Sequence, residues 1–174
     1  RAKGYVNSRI VHRLEVNMLP EENRYTNPIS FVDHGQTIYS QKGKYCEKQY
    51  RPSVEIKKGV GYMNEGKLVR EPFDFTLKNF FALEDQQAML RAIFFPESVP
   101  ATQRFNLTKD DYDFLYRHMS QLPVETSYPE SYADMDDNIV KFLLFGNSKR
   151  RMPRHIRSFN KIGDAYGFMT DNAY

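Results

Sequence analysis

The sequence predicts an α+β domain in which an antiparallel sheet packs with helices. Three observations carry that expectation. Short strand-like runs, punctuated by turn residues, fill the first part of the chain. Apolar residues then recur at three- and four-residue spacing through the middle. Two more strand-like runs close the chain around a short connection. No internal repeat or low-complexity segment interrupts this order.

The elements follow one another legibly. Pro20 and the Glu21-Glu22-Asn23 run mark a turn or short acidic loop. Thr26-Asn27-Pro28 opens a new element, because proline biases the residue before it away from helix. Ile29 to Val32 and Thr37-Ile38-Tyr39 read as strands around Asp33-His34-Gly35. In VGYMNEGKLVREPFDF, two runs flank Asn64-Glu65-Gly66, a hairpin signal because Asn and Gly tolerate positive φ. The same stretch carries most of a phosphate-binding loop, Gly61 to Gly66-Lys67. Leu68 stands where a hydroxyl is needed, and no helix pattern follows.

Helices are predicted next, within about residues 76–146. Leu83, Leu90, Ile93 and Phe94 share one helical face, and Pro96 stops the pattern. Thr108 and Asp111 form a capping-box pair ahead of Tyr112, Leu115, Tyr116 and Met119. A third helix is predicted from Tyr132, Met135, Ile139, Phe142 and Leu143, with Pro129 near its start and Gly146 past its end. Its acids Asp134, Asp136 and Asp137 then form a wet face. These aromatic and methionine stripes read as core faces, not cofactor boxes. The closing hairpin covers about residues 154–174, with Asp164-Ala165 as the predicted connection.

Composition bounds function. At 174 residues, with 40% apolar and 27% charged side chains, the chain can bury one core as a single domain. A net charge of +3 does not call for nucleic acid or anionic lipid. Cys46 is the sole cysteine, so an internal disulfide is excluded and the compartment stays open. No apolar run is long enough to span a bilayer. The chain opens on Arg1 and stops at Tyr174 inside a strand-like run, which reads as a segment of a longer protein, a single partial domain over 1–174.

Candidate chemistry concentrates in RSFNKIGDAYGFMTDNAY. Ser158 and Lys161 have the spacing of a lysine-activated serine, which needs one face of a helical turn. In a strand, alternation puts them on opposite faces, so Ser158 is no nucleophile. The basic run over 149–157 reads as a solvated loop leading into the strand. His12, His34, His118 and His155 lack metal-ligand spacing, and the acidic cluster lacks the glycine and terminal glutamate of a calcium loop. No metal and no cofactor are expected.

The segment MPRHIRSFNKIGDAYGFMTDNAY resembles the Lys-Thr-Gly strand region of the serine β-lactamase and penicillin-binding-protein superfamily. The corresponding residues are Pro153, Lys161, Gly163, Tyr166, Gly167, Asp171 and Ala173. Thr26-Asn27-Pro28 resembles the Thr-Thr-Pro with which that superfamily enters a helix after its mobile loop. NSRIVHRLEVN resembles the stretch preceding that loop. With RAIFFPE and FNKIGDAYG, these strings are similar to a serine-hydrolase branch of Bacteroidetes-type bacteria, over about Gly4 to Tyr174.

The resemblance implies a transpeptidase-like fold, incomplete here, and acyl-enzyme chemistry on a β-lactam or a D-Ala-like amide or ester. It implies a periplasmic or cell-envelope location and a peptidoglycan-like small substrate. It implies that Lys161 supplies positive charge to substrate, and that Gly163, Ile162 and Asp164 form the strand edge against which substrate binds. Two departures matter. Ile162 stands where the family has a hydroxyl. The Glu-x-x-Leu-Asn pattern of a deacylating base is missing, since Glu15, Glu21 and Glu22 lack its spacing. The nucleophilic Ser-x-x-Lys and the Ser-x-Asn motif precede, in the family, the point where this chain begins, so the chain alone should not catalyse acyl transfer. A non-catalytic wall-peptide or protein binder of the same fold is the first alternative. An unrelated α+β interaction module, with Lys161 away from any cleft, is the second. Missing outer strands would leave apolar surface exposed and the chain poorly soluble.

Overall fold

Turn chemistry sets the strand pairs. The computed structural model describes residues 2–13, 21–48 and 54–174; Glu15 and Pro20, weighed above, lie outside them. Helices and small antiparallel sheets mix along the chain, which is the α+β class in its general form. The chain divides into two compact units, Ser8–Phe81 and Arg1–Asn7 with Ala82–Tyr174.

The Ser8–Phe81 unit is built from hairpins. Strands β1 (Ile29–Asp33) and β2 (Gln36–Gln41) pair antiparallel, as the run of strand residues predicts. His34 and Gly35 turn between them at φ of 45° and 80°, the positive values a two-residue hairpin loop requires. A strand follows Thr26-Asn27-Pro28, where the family pattern has a helix. Strand β3 (Lys57–Lys58) precedes β4 (Tyr62–Asn64), which pairs with β5 (Lys67–Val69) around Glu65-Gly66. The phosphate-loop look-alike is therefore a hairpin. Strand β6 (Phe73–Asp74) returns to β3, and the Phe73 ring meets Tyr62 edge-on at 4.9 Å. Asn79 ties the unit's ends, accepting from the Val11 N–H at 2.9 Å and donating to the His12 carbonyl at 2.7 Å. Among the described residues, no apolar side chain of this unit is fully buried.

The other unit holds the core: Leu90, Ala92, Val99, Leu122 and Met152. Helix α1 (Leu83–Phe94) ends before Pro96 as predicted, although Leu83 is 59% exposed and leaves the buried face to Leu90 and Ala92. Helix α2 (Lys109–Ser120) carries the predicted capping box. The Thr108 N–H donates to the Asp111 carboxylate at 2.8 Å, and the Asp111 N–H returns to the Thr108 hydroxyl at 3.2 Å.

The third predicted helix is corrected. Residues 130–145 form short 3-10 turns at Glu130–Asp134 and Asp137–Ile139, then one helical turn, α3 (Phe142–Phe145). The wet face is corrected at Asp137, which is only 1% exposed, while Asp134 stays exposed; Lys141, also in this stretch, is only 2% exposed. A regular amphipathic helix would put Asp137 and Lys141 one turn apart on one stripe. Here each is turned inward to its own set of backbone and side-chain partners, and the chain bends to deliver them.

The closing hairpin forms, with its turn moved. Strands β7 (Asn160–Ala165) and β8 (Phe168–Ala173) pair in register, Asp164 with Met169 and Ala165 with Phe168. The connection is Tyr166-Gly167, not Asp164-Ala165, because these two residues adopt positive φ of 54° and 77°. Phe159, just before β7, packs its ring at a tilt against Phe94 of α1 at 4.7 Å and meets Tyr116 of α2 at 6.0 Å. The hairpin is thus seated on both helices.

Candidate functional site

Lys161 and its neighbours lie on β7, so strand geometry decides what each presents. Side chains alternate along the strand, and directly paired residues share a face. Lys161 and Gly163 share one face with Asn172 and Thr170, while Ile162 shares the other with Asn160 and Asp171. The sequence-predicted residues are therefore split, with Lys161 and Gly163 on one side and Ile162 and Asp164 on the other. Lys161 is exposed, and its amine donates to the Ile162 carbonyl of its own strand. Ser158 precedes β7 and is buried, so it forms no couple with Lys161.

The backbone divides them in the same way, so Gly163 does not offer its own groups to the strand edge as expected, and only the Lys161 side chain crosses to it. Phe159 and Tyr174 exchange both of their main-chain hydrogen bonds, each at 2.9 Å. In an antiparallel ladder such bonded pairs alternate with unbonded ones, so Lys161 and Gly163 spend their N–H and C=O on β8. Ile162 and Asp164 turn theirs to the outer edge of β7, which has no strand partner among the described residues. The Lys161 amine reaches the Ile162 carbonyl on that edge. Gly163 has a local reason to be glycine: a Cβ there would lie 2.9 Å from the Thr170 hydroxyl oxygen.

Beneath the strand lies a buried polar network that the sequence reading did not single out. The Lys141 amine donates to the Met119 carbonyl at 3.1 Å, to the Ser158 carbonyl at 2.9 Å and to the Asn160 side-chain oxygen. Asn160 in turn donates to the Val140 carbonyl at 2.7 Å and to Asp171 at 2.8 Å. Asp171 accepts the Leu143 N–H at 2.9 Å, closing the chain of bonds from α2 through β7 and β8 to α3. Burial pulls the Lys141 amine down to about 8, with the Asp171 and Glu125 carboxylates opposing. All three ammonium donors are engaged by protein acceptors, so this lysine is a cross-link that fixes the inner face of β7. The signal available in the sequence was a lone lysine inside the apolar run IVKFLLF.

Among the described residues, two recesses of this unit stand out, and Lys161 lines neither of these two. The larger, about 840 Å³, lies between the segment 122–125 and the basic run. The smaller, about 360 Å³, lies beside Arg117 and Gln121. Among the described residues, no cluster of three His, Cys, Asp or Glu side chains is placed to hold a metal ion, and no helix is long and apolar enough to cross a membrane. Compared with known proteins, the chain matches no family model, no curated protein and no solved structure.

Proposed function

We propose that this chain is the lysine-strand part of a β-lactamase-like serine hydrolase, acting through an acyl-enzyme on a β-lactam or a D-Ala-like amide or ester. One observation supports the reading above the rest. The Lys161-Ile162-Gly163-Asp164 string sits on a strand whose outer edge pairs with no strand among the described residues, and there the Asp164 N–H and the Ile162 N–H and C=O point away from β8. An extended substrate can add to such an edge by main-chain hydrogen bonds. An edge N–H, that of Asp164, is the kind of donor that stabilises an oxyanion. Lys161 supplies the cation for a substrate carboxylate once its amine leaves the Ile162 carbonyl. The nucleophilic serine, on this reading, lies elsewhere in the polypeptide.

A second reading, an α+β interaction module without catalysis, is favoured by two observations. Lys161 lines neither recess, and Ile162 offers no hydroxyl to a carboxylate. Labelling of the complete gene product with a fluorescent penicillin separates the two. The hydrolase reading expects a covalent adduct that Lys161→Ala slows by about a hundredfold, the scale of losing one preorganised electrostatic contact. No adduct, or one indifferent to Lys161, leaves the interaction module.

A further inference from the structure

The larger recess has a chemistry of its own. Its apolar wall comes from Leu122, Val124 and Ile156, and its charge from Arg151, Arg154 and Arg157. Two carboxylates are also present, but both are spent. Glu125 takes Arg157 end-on, through Nη1 at 2.8 Å and Nη2 at 2.7 Å, and accepts the Leu122 N–H at 2.9 Å. The Arg157 guanidinium holds the Glu125 carboxyl below its usual range, so that pair is ionised at neutral pH. Asp137 accepts the Met152 N–H at 2.7 Å and an Arg151 N–H at 3.1 Å. Arg151 completes that one nitrogen with the Met135 carbonyl at 2.9 Å.

Arg154 is different. It is exposed, lines the recess, and has no hydrogen-bond or ion-pair partner among the described residues. Arg157 and Arg151 also keep unused donors after their carboxylates are satisfied, because a guanidinium carries five N–H groups. Three guanidiniums thus face one apolar-walled recess with two carboxylates already neutralised in place. An arginine fork matches a carboxylate in plane and in spacing. The volume, about 840 Å³, falls within the few hundred to about 1,000 Å³ typical of small-ligand sites.

We infer that the recess between the 122–125 segment and the basic run binds a short apolar peptide through its terminal carboxylate, with Arg154 as the principal anchor. Ile156 and Val124 pack the aliphatic side chain next to that carboxylate. The site is separate from the β7 edge and does not depend on the hydrolase reading.

The test uses the full chain and two probes, N-acetyl-valyl-leucine with a free carboxylate and the same peptide as its C-terminal amide, followed by NMR titration. The carboxylate form should bind and shift the amides of residues 122–125 and 151–157, and the amide form should bind at least about tenfold more weakly, the value of one charge-assisted hydrogen bond. Arg154→Glu, an exposed change that leaves the core untouched, should abolish the difference. Ile156→Asp should weaken both probes. Equal binding of the two probes overturns the inference, as does carboxylate binding that survives Arg154→Glu. Inorganic phosphate competing as well as the peptide would reduce the site to a bare anion patch. Absence of any shift at millimolar probe would also end it.

Discussion

Lys141 shows how one residue can be costly and necessary at once. Its ammonium is 2% exposed and donates to three neutral acceptors, one just before β7 and one at its first residue. Lys141→Met removes the desolvation cost but leaves those acceptors unpaired, so a net loss of about 1–3 kcal/mol in urea unfolding at pH 7 is expected. The pH dependence has a definite sign. The amine titrates near 8 folded and near 10.5 unfolded. Between those values the unfolded chain binds the proton that the folded chain has released, so stability contributed at this site rises with pH and is flat below about 8. The advantage of the native protein over Lys141→Met should therefore widen from pH 8 to pH 10. Taking the difference removes the contribution of Tyr5 and Tyr116, whose phenols burial pushes up in both proteins. A gap that narrows over this range would refute the assignment. Gly163 offers a second residue-scale test. Gly163→Ala places a methyl 2.9 Å from the Thr170 hydroxyl and should cost about 1 kcal/mol. The cost should vanish in a Thr170→Ala background if the cross-strand contact is the cause.

At the scale of elements, legibility in the sequence followed how local the deciding interactions were. Helix α2 was readable because its cap is a four-residue signal, and α1 because Pro96 stops it. The β1–β2 and β4–β5 hairpins were readable because a glycine sits at the second loop position of each. The third helix was not, since its fate rests on Asp137 reaching Met152 and Lys141 reaching Ser158, contacts over 15 and 17 residues that no local spacing encodes. The β7–β8 turn was misplaced because Asp164-Ala165 has the composition of a loop, while the positive φ that closes the hairpin falls at Tyr166-Gly167. The same rule supports an element-scale prediction. His34 adopts φ of 45° with its side chain 97% exposed, so it has little beyond the backbone to lose. His34→Asn creates the preferred Asn-Gly loop and should slow amide exchange in β1 and β2 by about threefold, equivalent to about 0.6 kcal/mol in the turn. Unchanged exchange would mean that the strand pairing, not the turn, limits opening.

For the whole molecule, the distribution of burial sets where stability resides. Among the described residues, every fully buried apolar side chain lies in the unit that holds α1, α2 and the β7–β8 hairpin. The Ser8–Phe81 unit is held by two-stranded pairs and leaves Phe31, Val32 and Ile38 each more than half exposed. An isolated two-stranded hairpin is marginal in water, because it has no third strand or helix to cover its face. Hydrogen exchange should therefore be biphasic. Amides of α1, α2, β7 and β8 should exchange together and slowly, through one cooperative opening, while those of β1 to β6 exchange orders of magnitude faster. Lys141→Met should speed the slow class and leave the fast class unmoved, since all its partners lie in the unit that holds α1, α2 and the β7–β8 hairpin. Equal protection of β1 and α2 would show that the hairpin unit gains its stability from a source other than side-chain burial. The exposed apolar edge makes a second outcome measurable in the same experiment: if the protein self-associates, protection in β1 and β2 should rise with protein concentration, because pairing of an unpaired strand edge between molecules is the route such a surface offers.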